Sequence, residues 1–231
     1  MYKKAPSGAF FVSKDKYSKL KFIAMVNFKS RVLPKQWPVE PMLWLRDVFD
    51  TDTLEQLKKF DIDSHSVIPF KGRKQYEFIK DRVDEVPKEF GELMTKLQAE
   101  LNSVDLLERL ITEAVKKSSV KPENAWIGGM DTIRSLYKTC NLSLWEDSEQ
   151  FDLGVHEDHR NILAVMMVYL SPAAGSSGTR FHSSGNFADF RQLPFIQNTG
   201  FFLFNTQYSF HSAVNTEANK LRRSFCCVWT M

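Results

Sequence analysis

LGVHEDHRNILAVMMVYL, residues 153–170, decides how this chain is read. Both halves have the period of β-strands. Residues i and i+2 of a strand share a face, so His156 and Asp158 project together and Glu157 projects the other way. The second half is apolar throughout. Working outward, short strand segments lie on either side. IGGM, SLYKTCNLSLW and QFDLGVHED come before the apolar run, and GTRFH, RQLPFI, GFFLFNT, FHSAVN and SFCCVWT come after it. Gly, Ser and Asp stand between them. Such a succession predicts an all-β half, a sandwich or barrel closed by Greek-key connections.

Upstream of about residue 125 the period is helical. In PKEFGELMTKLQAEL the residues Phe90, Leu93, Met94, Leu97 and Leu101 recur at one helix face, and Pro87 suits the helix start. Asn102 and Ser103 break that helix. Ser103 can cap the next one, VDLLERLITEAVKK, whose stripe is Leu106, Leu107, Leu110, Ile111 and Ala114. Both stripes are expected to pack on a sheet. Farther back, WPVEP leads into MLWLRDVF, a predicted strand. Asp52 is expected to start the helix TLEQLKKF, with Glu55 at capping-box spacing and Leu54, Leu57 and Phe60 inward. Residues 61–74 read as a loop with a short strand, and His65 reads as exposed. The first 36 residues are basic, with Lys3, Lys4, Lys14, Lys16, Lys19, Lys21, Lys29, Arg31 and Lys35 against Asp15. They read as a solvated face around the short strands GAFFV and KFIAMVNF, an extension packed on the same domain. The expected class is α+β: helical support over about 50–120 and a β core over about 125–231, within one domain spanning 37–231.

A chain of 231 residues suits one domain with a sizeable core. A net charge of +3 implies neither nucleic acid nor membrane as partner. The three cysteines, Cys140, Cys226 and Cys227, are odd in number and two are adjacent, which argues against a disulfide framework and fits a reducing, cytoplasmic compartment. GAFFV is too short for a signal peptide, and no apolar run is long enough to span a bilayer.

The chemistry is carried by order and spacing. His211 follows His156 by 55 residues, with room for about four or five strands between them. It would complete a 2-His-1-carboxylate set with His156 and Asp158. Such a set occupies one face of an octahedral ion and leaves the other positions open, as non-haem Fe(II) oxygenases require. Arg222 follows 11 residues after His211, and Ser224 shares its strand face. A planar guanidinium with a nearby hydroxyl suits a carboxylate in a partly dry pocket. A 2-oxo acid would use both parts of this arrangement, chelating the metal at one end and binding the arginine at the other. Arg223 is the alternative to Arg222, although it would put Ser224 on the opposite face.

These residues, and the motifs around them, resemble the Fe(II)/2-oxoglutarate-dependent dioxygenases of the prolyl-hydroxylase-like branch. The resemblance runs from WPVEPMLWLRDVFDTDTLEQL through LQAELNSVDLLERL, the double glycine Gly128 and Gly129, LGVHEDH, ILAVMMVYLSP, GTRFH and FLFNTQYSFH to RRSFCCVWT, roughly residues 37–231. It implies a double-stranded β-helix (jelly-roll) core with helices on one side. It implies Fe(II) ligation by His156, Asp158 and His211, and 2-oxoglutarate binding by Arg222 with Ser224. It also implies a hydroxylase that uses O₂ and releases succinate and CO₂. The family often adds a polar side chain from an earlier strand, for which Tyr137, Asn141 and Trp145 are the candidates. With Asp158 in place, hydroxylation rather than halogenation is expected. A small metabolite is the favoured substrate, and a prolyl or other protein residue is the second. A non-catalytic metal-binding jelly-roll sensor or binding protein is the reading of another class. A cupin-like Zn or Mn site would need more histidines at H-x-H spacing. His159 reads as an exposed strand-end residue, His182 as packed or exposed, Trp229 as core, and Ala173 to Ser177 as a lid or a turn.

Overall fold

The computed structural model describes residues 26, 29–31, 42–65, 72–117, 130–149, 151–172, 178–183, 186–214 and 220–231. GAFFV, Gly128, Gly129 and the loop 173–177 lie outside the described residues, as does all of KFIAMVNF except Val26.

A capped helix follows the first strands. β1 (Lys29–Arg31) pairs antiparallel with β2 (Met42–Arg46). Val26, 2% exposed, bridges to Phe49, so part of the basic N-terminal stretch is built into the sheet and core. α1 (Thr51–Lys59) is capped by Asp50, whose carboxylate accepts from Thr53 N at 2.7 Å. This moves the expected start back by two residues. Asp50, not Asp52, has the extended backbone of a cap, and Glu55 pairs with Lys58 at 2.7 Å instead of reaching back. His65 ends a short 3-10 turn and stacks on Phe60 at 4.9 Å, so it is half-buried rather than exposed.

β3 (Arg73–Phe78) was not expected as a full strand, because RKQYEF carries too much charge to show a clear apolar alternation. α2 (Lys88–Leu101) and α3 (Val104–Lys117) then cover one face of the large sheet. Their stripes are buried as the spacing predicts, and Leu106 N donates to the Ser103 hydroxyl at 3.3 Å. Trp229 is fully buried and donates from Nε1 to the Leu101 carbonyl at 3.0 Å, satisfying an end of α2 that has no further helical partner. α4 (Met130–Leu136) makes the start of SLYKTCNLSLW helical rather than strand, with Ile133 as its buried residue, and all of IGGM except Met130 lies outside the described residues.

The remaining strands are β4 (Thr139–Asp147), β5 (Asp152–His156), β6 (Ile162–Tyr169), β7 (Thr179–Ser183), β8 (Asn186–Gln192), β9 (Thr199–Phe204), β10 (His211–Val214) and β11 (Arg222–Thr230). The large sheet has the order β1-β2-β9-β6-β11-β4-β3, and the small one β5-β10-β7-β8. The pairings among the described strands are antiparallel, and neighbours in space are mostly distant in sequence. This is a double-stranded β-helix with helices packed on one side, and strands from before residue 80 widen its large sheet. One core lies between that sheet and the helices. A second lies between the sheets and holds Met42, Met167, Tyr169, Phe181, Phe195 and Phe201. No described helix is long and apolar enough to cross a membrane.

Close strand packing fixes Gly200. A Cβ there would stand 1.8 Å from the Met167 carbonyl oxygen on β6, and backbone cannot yield as a flexible side chain can. Gly200→Ala is expected to lower unfolding free energy by about 3 kcal/mol, read as a lower urea midpoint. An unchanged midpoint would contradict this packing.

Candidate metal centre

β5 ends at His156, and β10 begins at His211, its direct cross-strand partner. Asp158 follows two residues past the strand end. One ligand atom from each of the three lies within 4.8 Å of the others. The imidazole rings are 4.2 Å apart, and His211 Nε2 is 3.9 Å from Asp158 Oδ1. The His211 and Asp158 side chains are only 12% and 16% exposed.

The backbone orients both rings. His156 Nδ1 donates to the Gly154 carbonyl at 2.8 Å, and His211 Nδ1 donates to the Ser209 carbonyl at 2.9 Å. A carbonyl only accepts, so each Nδ1 carries the proton and each Nε2 presents its lone pair. Burial, helped by the neighbouring His211, lowers the His156 pKa and favours the neutral ring that a metal needs. Asp158 Oδ2 is buried with no hydrogen-bond partner among the described residues. A buried carboxylate oxygen left alone is costly. A cation held by two imidazoles and this carboxylate removes that cost, so the donor set fits a divalent metal.

The segment FLFNTQYSFH supports these ligands. Asn205 Nδ2 donates to the Ile162 and His159 carbonyls at 3.0 and 3.2 Å, tying down the loop that carries Asp158. The Thr206 amide donates to the Ser209 hydroxyl at 2.8 Å and closes the turn before His211.

A second group of buried polar side chains lies between the sheets. Arg222 is fully buried, and its guanidinium sits 5.1 Å over the Phe195 ring. Its Nη1 donates to the Val214 carbonyl at 3.4 Å, but Nε and Nη2 have no hydrogen-bond partner among the described residues. Burial lowers its pKa, and Asp147 acts against that shift. Ser224 Oγ is likewise buried and unpartnered. Trp145, opposite Ser224 on β4, has an unpartnered buried Nε1. The Tyr169 hydroxyl, which burial keeps protonated, donates to Thr179 Oγ1 at 2.9 Å. Several unmet donors in one dry space call for an acceptor.

The other candidates separate by their surroundings. Arg223 lies on the helix side, as alternation requires, and is largely covered there. It pairs with Glu146 at 3.1 Å and donates to the Lys58 carbonyl. Tyr137 also lies on the helix side, donating to Asn102 Oδ1. Asn141 is exposed, six residues before Asp147 on β4. Of the three polar candidates only Trp145 packs between the sheets. His159 is exposed and engages Asn161 at 2.7 Å. His182 is buried between the Phe187 carbonyl (2.6 Å) and Ser212 Oγ (2.8 Å). The sequence reading missed Arg73 and Asp147, a buried pair bonded at 2.6 and 3.0 Å in the same space. Asp147 stands two residues past Trp145, so strand alternation puts it on the same face. Nothing in the sequence marks Arg73.

No protein-family model matches this sequence, and no curated protein matches it. Solved structures do match in fold. A Pseudomonas putida prolyl-4-hydroxylase matches at 8% identity and a TM-score of 0.55, over 83% of this chain and 93% of that one. HygX from Streptomyces hygroscopicus, solved with nickel and 2-oxoglutarate bound, matches at 9% and 0.53 over 83% of each chain. The non-heme alpha ketoglutarate dependent epimerase SnoN from nogalamycin biosynthesis matches at 9% and 0.51, over 83% of this chain and 78% of that one. At such identities the likeness is one of fold.

Proposed function

We propose that this chain is a non-haem Fe(II)- and 2-oxoglutarate-dependent dioxygenase that hydroxylates an unactivated C–H bond. One observation carries the reading. His156, Asp158 and His211 form a three-ligand cluster at the start of β10, and Arg222, bonded to the Val214 carbonyl at the end of that four-residue strand, is buried with two N–H donors unmet among the described residues. Bound together, Fe(II), 2-oxoglutarate and O₂ supply a C–H oxidation coupled to release of succinate and CO₂.

The chain's own residues have separable tasks in this reading. His156 and His211 bind the metal through Nε2, and Asp158 supplies the anionic ligand. Arg222 holds the distal carboxylate of 2-oxoglutarate, and Ser224 adds a hydroxyl. The Trp145 indole N–H is the third donor. Phe195 and Phe181 keep water out, which strengthens each charged contact. A small metabolite is carried as the substrate, and a protein residue as the second possibility to be screened.

Trp145→Phe removes the N–H and keeps a ring beside Arg73. It is expected to raise the 2-oxoglutarate concentration for half-maximal turnover by about tenfold, the worth of one hydrogen bond to a charged group. The proposal itself is tested by following succinate in the presence of Fe(II), 2-oxoglutarate and O₂. Iron-dependent succinate from the wild type, absent in His211→Ala, is the expected result, and adding a panel of metabolites and peptides should then stimulate it selectively. Folded, iron-loaded wild type that forms no succinate with any of them would favour the non-catalytic reading.

A further inference from the structure

Asp147 stands between two buried arginines. It is the cross-strand partner of Arg73 on β3 and of Arg222 on β11, and the three side chains are 1%, 7% and 0% exposed respectively. A carboxylate facing an arginine in a dry site ordinarily takes it in a two-pronged pair. Arg222 receives no such pair. Arg73 takes both carboxylate oxygens, Nε to Oδ1 at 2.6 Å and Nη2 to Oδ2 at 3.0 Å. Arg222 Nε is left 3.7 Å from Oδ2, in ion-pair range but without a hydrogen bond. Arg73 is fixed in this role by its flanks, its guanidinium lying 3.9 Å over the Trp145 ring and 4.1 Å over the Phe151 ring.

We infer that Arg73 is a positioning residue that holds the Asp147 carboxylate to itself and thereby keeps Arg222 free for the carboxylate of the co-substrate. The inference rests on the 2-oxoglutarate reading of the pocket. The charge count agrees with it. Among the described residues, two arginines and one aspartate leave a single positive charge, which one ligand carboxylate neutralises. Without Arg73, Asp147 and Arg222 neutralise each other, and an incoming carboxylate must displace an internal one. Without both Arg73 and Asp147, Arg222 is again charged and unpaired.

The test is calorimetric titration of 2-oxoglutarate into Mn(II)-loaded protein without O₂, so that binding is read apart from turnover. Arg73→Met fills much of the same volume between the rings. It is expected to raise the Kd by about tenfold or more, as an ion pair must be broken first. Arg73→Met with Asp147→Asn is expected to restore the Kd to within about threefold of wild type, less than 1 kcal/mol. Asp147→Asn alone should bind no more weakly than wild type. A merely structural role predicts the opposite order, with the double variant at least as impaired as either single one. The inference is overturned if Arg73→Met binds like wild type, or if the double variant binds no better than Arg73→Met. Should Arg73→Met fail to fold once Asp147 loses its two-pronged pair, the double variant, which lacks that carboxylate, decides alone: weak binding by it overturns the inference. Wild type that takes up Mn(II) but not 2-oxoglutarate would instead overturn the co-substrate reading, and this inference with it.

Discussion

Asp158→Ala abolishes Fe(II) binding, and with it succinate formation from 2-oxoglutarate. The carboxylate is the only anion of the three-ligand face, and two neutral imidazoles alone hold Fe(II) weakly. An affinity loss of at least about a hundredfold is expected, in line with the steep cost of altering a metal's surroundings. The variant should fold normally. Asp158 Oδ2 is buried without a hydrogen-bond partner among the described residues, so the metal-free protein gains nothing from it there. Removing an uncompensated buried charge is neutral or stabilising. The expected pair of results is therefore a metal-free thermal midpoint equal to or above that of wild type, and no saturable Fe(II) uptake by equilibrium dialysis. Unchanged succinate production would refute the assignment of this ligand.

Arg222→Ala raises the 2-oxoglutarate requirement by about a hundredfold or more, the scale for truncating one partner of a buried charge pair. Arg223→Ala changes it by less than about threefold. The two arginines are adjacent in sequence and opposite in environment. Arg222 faces the space between the sheets, fully buried, with two N–H groups waiting. Arg223 faces the helices, where it already pairs with Glu146 and the Lys58 carbonyl. Arg223→Ala should therefore appear as lost stability, about 1–3 kcal/mol in a denaturant titration, rather than as lost affinity. The reverse pattern would move the co-substrate's anchor by one residue.

How much of this is legible in the sequence depends on whether a residue's role is local. The helix stripes of α2 and α3, the strand position of His156, and the opposite faces of Arg222 and Arg223 all follow from periods of 3.6 and 2, and the structure has them so, whereas Asp158 lies two residues past the end of β5 rather than on its face. The pairing of His156 with His211 is not local. Only the order of motifs suggests it, and the register of β5 with β10 brings it about. β3 stays hidden because its charged residues mask the alternation, and Arg73 with it, since its partner Asp147 is 74 residues away. α4 is mistaken for strand because Met130–Leu136 is short and its apolar residues show no clear helical face. The cap of α1 slips because Asp50 and Asp52 are equally good capping residues by type, and only backbone geometry selects between them. Tyr137 and Asn141 remain candidates until the sheet is assembled, since which end of β4 lies beside Arg222 is a matter of register with β11.

The most direct measurement of the central claim is an anaerobic titration of the metal-free protein with Fe(II) and then 2-oxoglutarate, watched for the weak visible charge-transfer band of the chelate. It needs no knowledge of the substrate. The band should appear in wild type, be lost in His211→Ala, and need far more 2-oxoglutarate in Arg222→Ala. A folded wild-type protein that shows no band at saturating Fe(II) and 2-oxoglutarate would contradict the account and leave the jelly-roll a metal site of another kind.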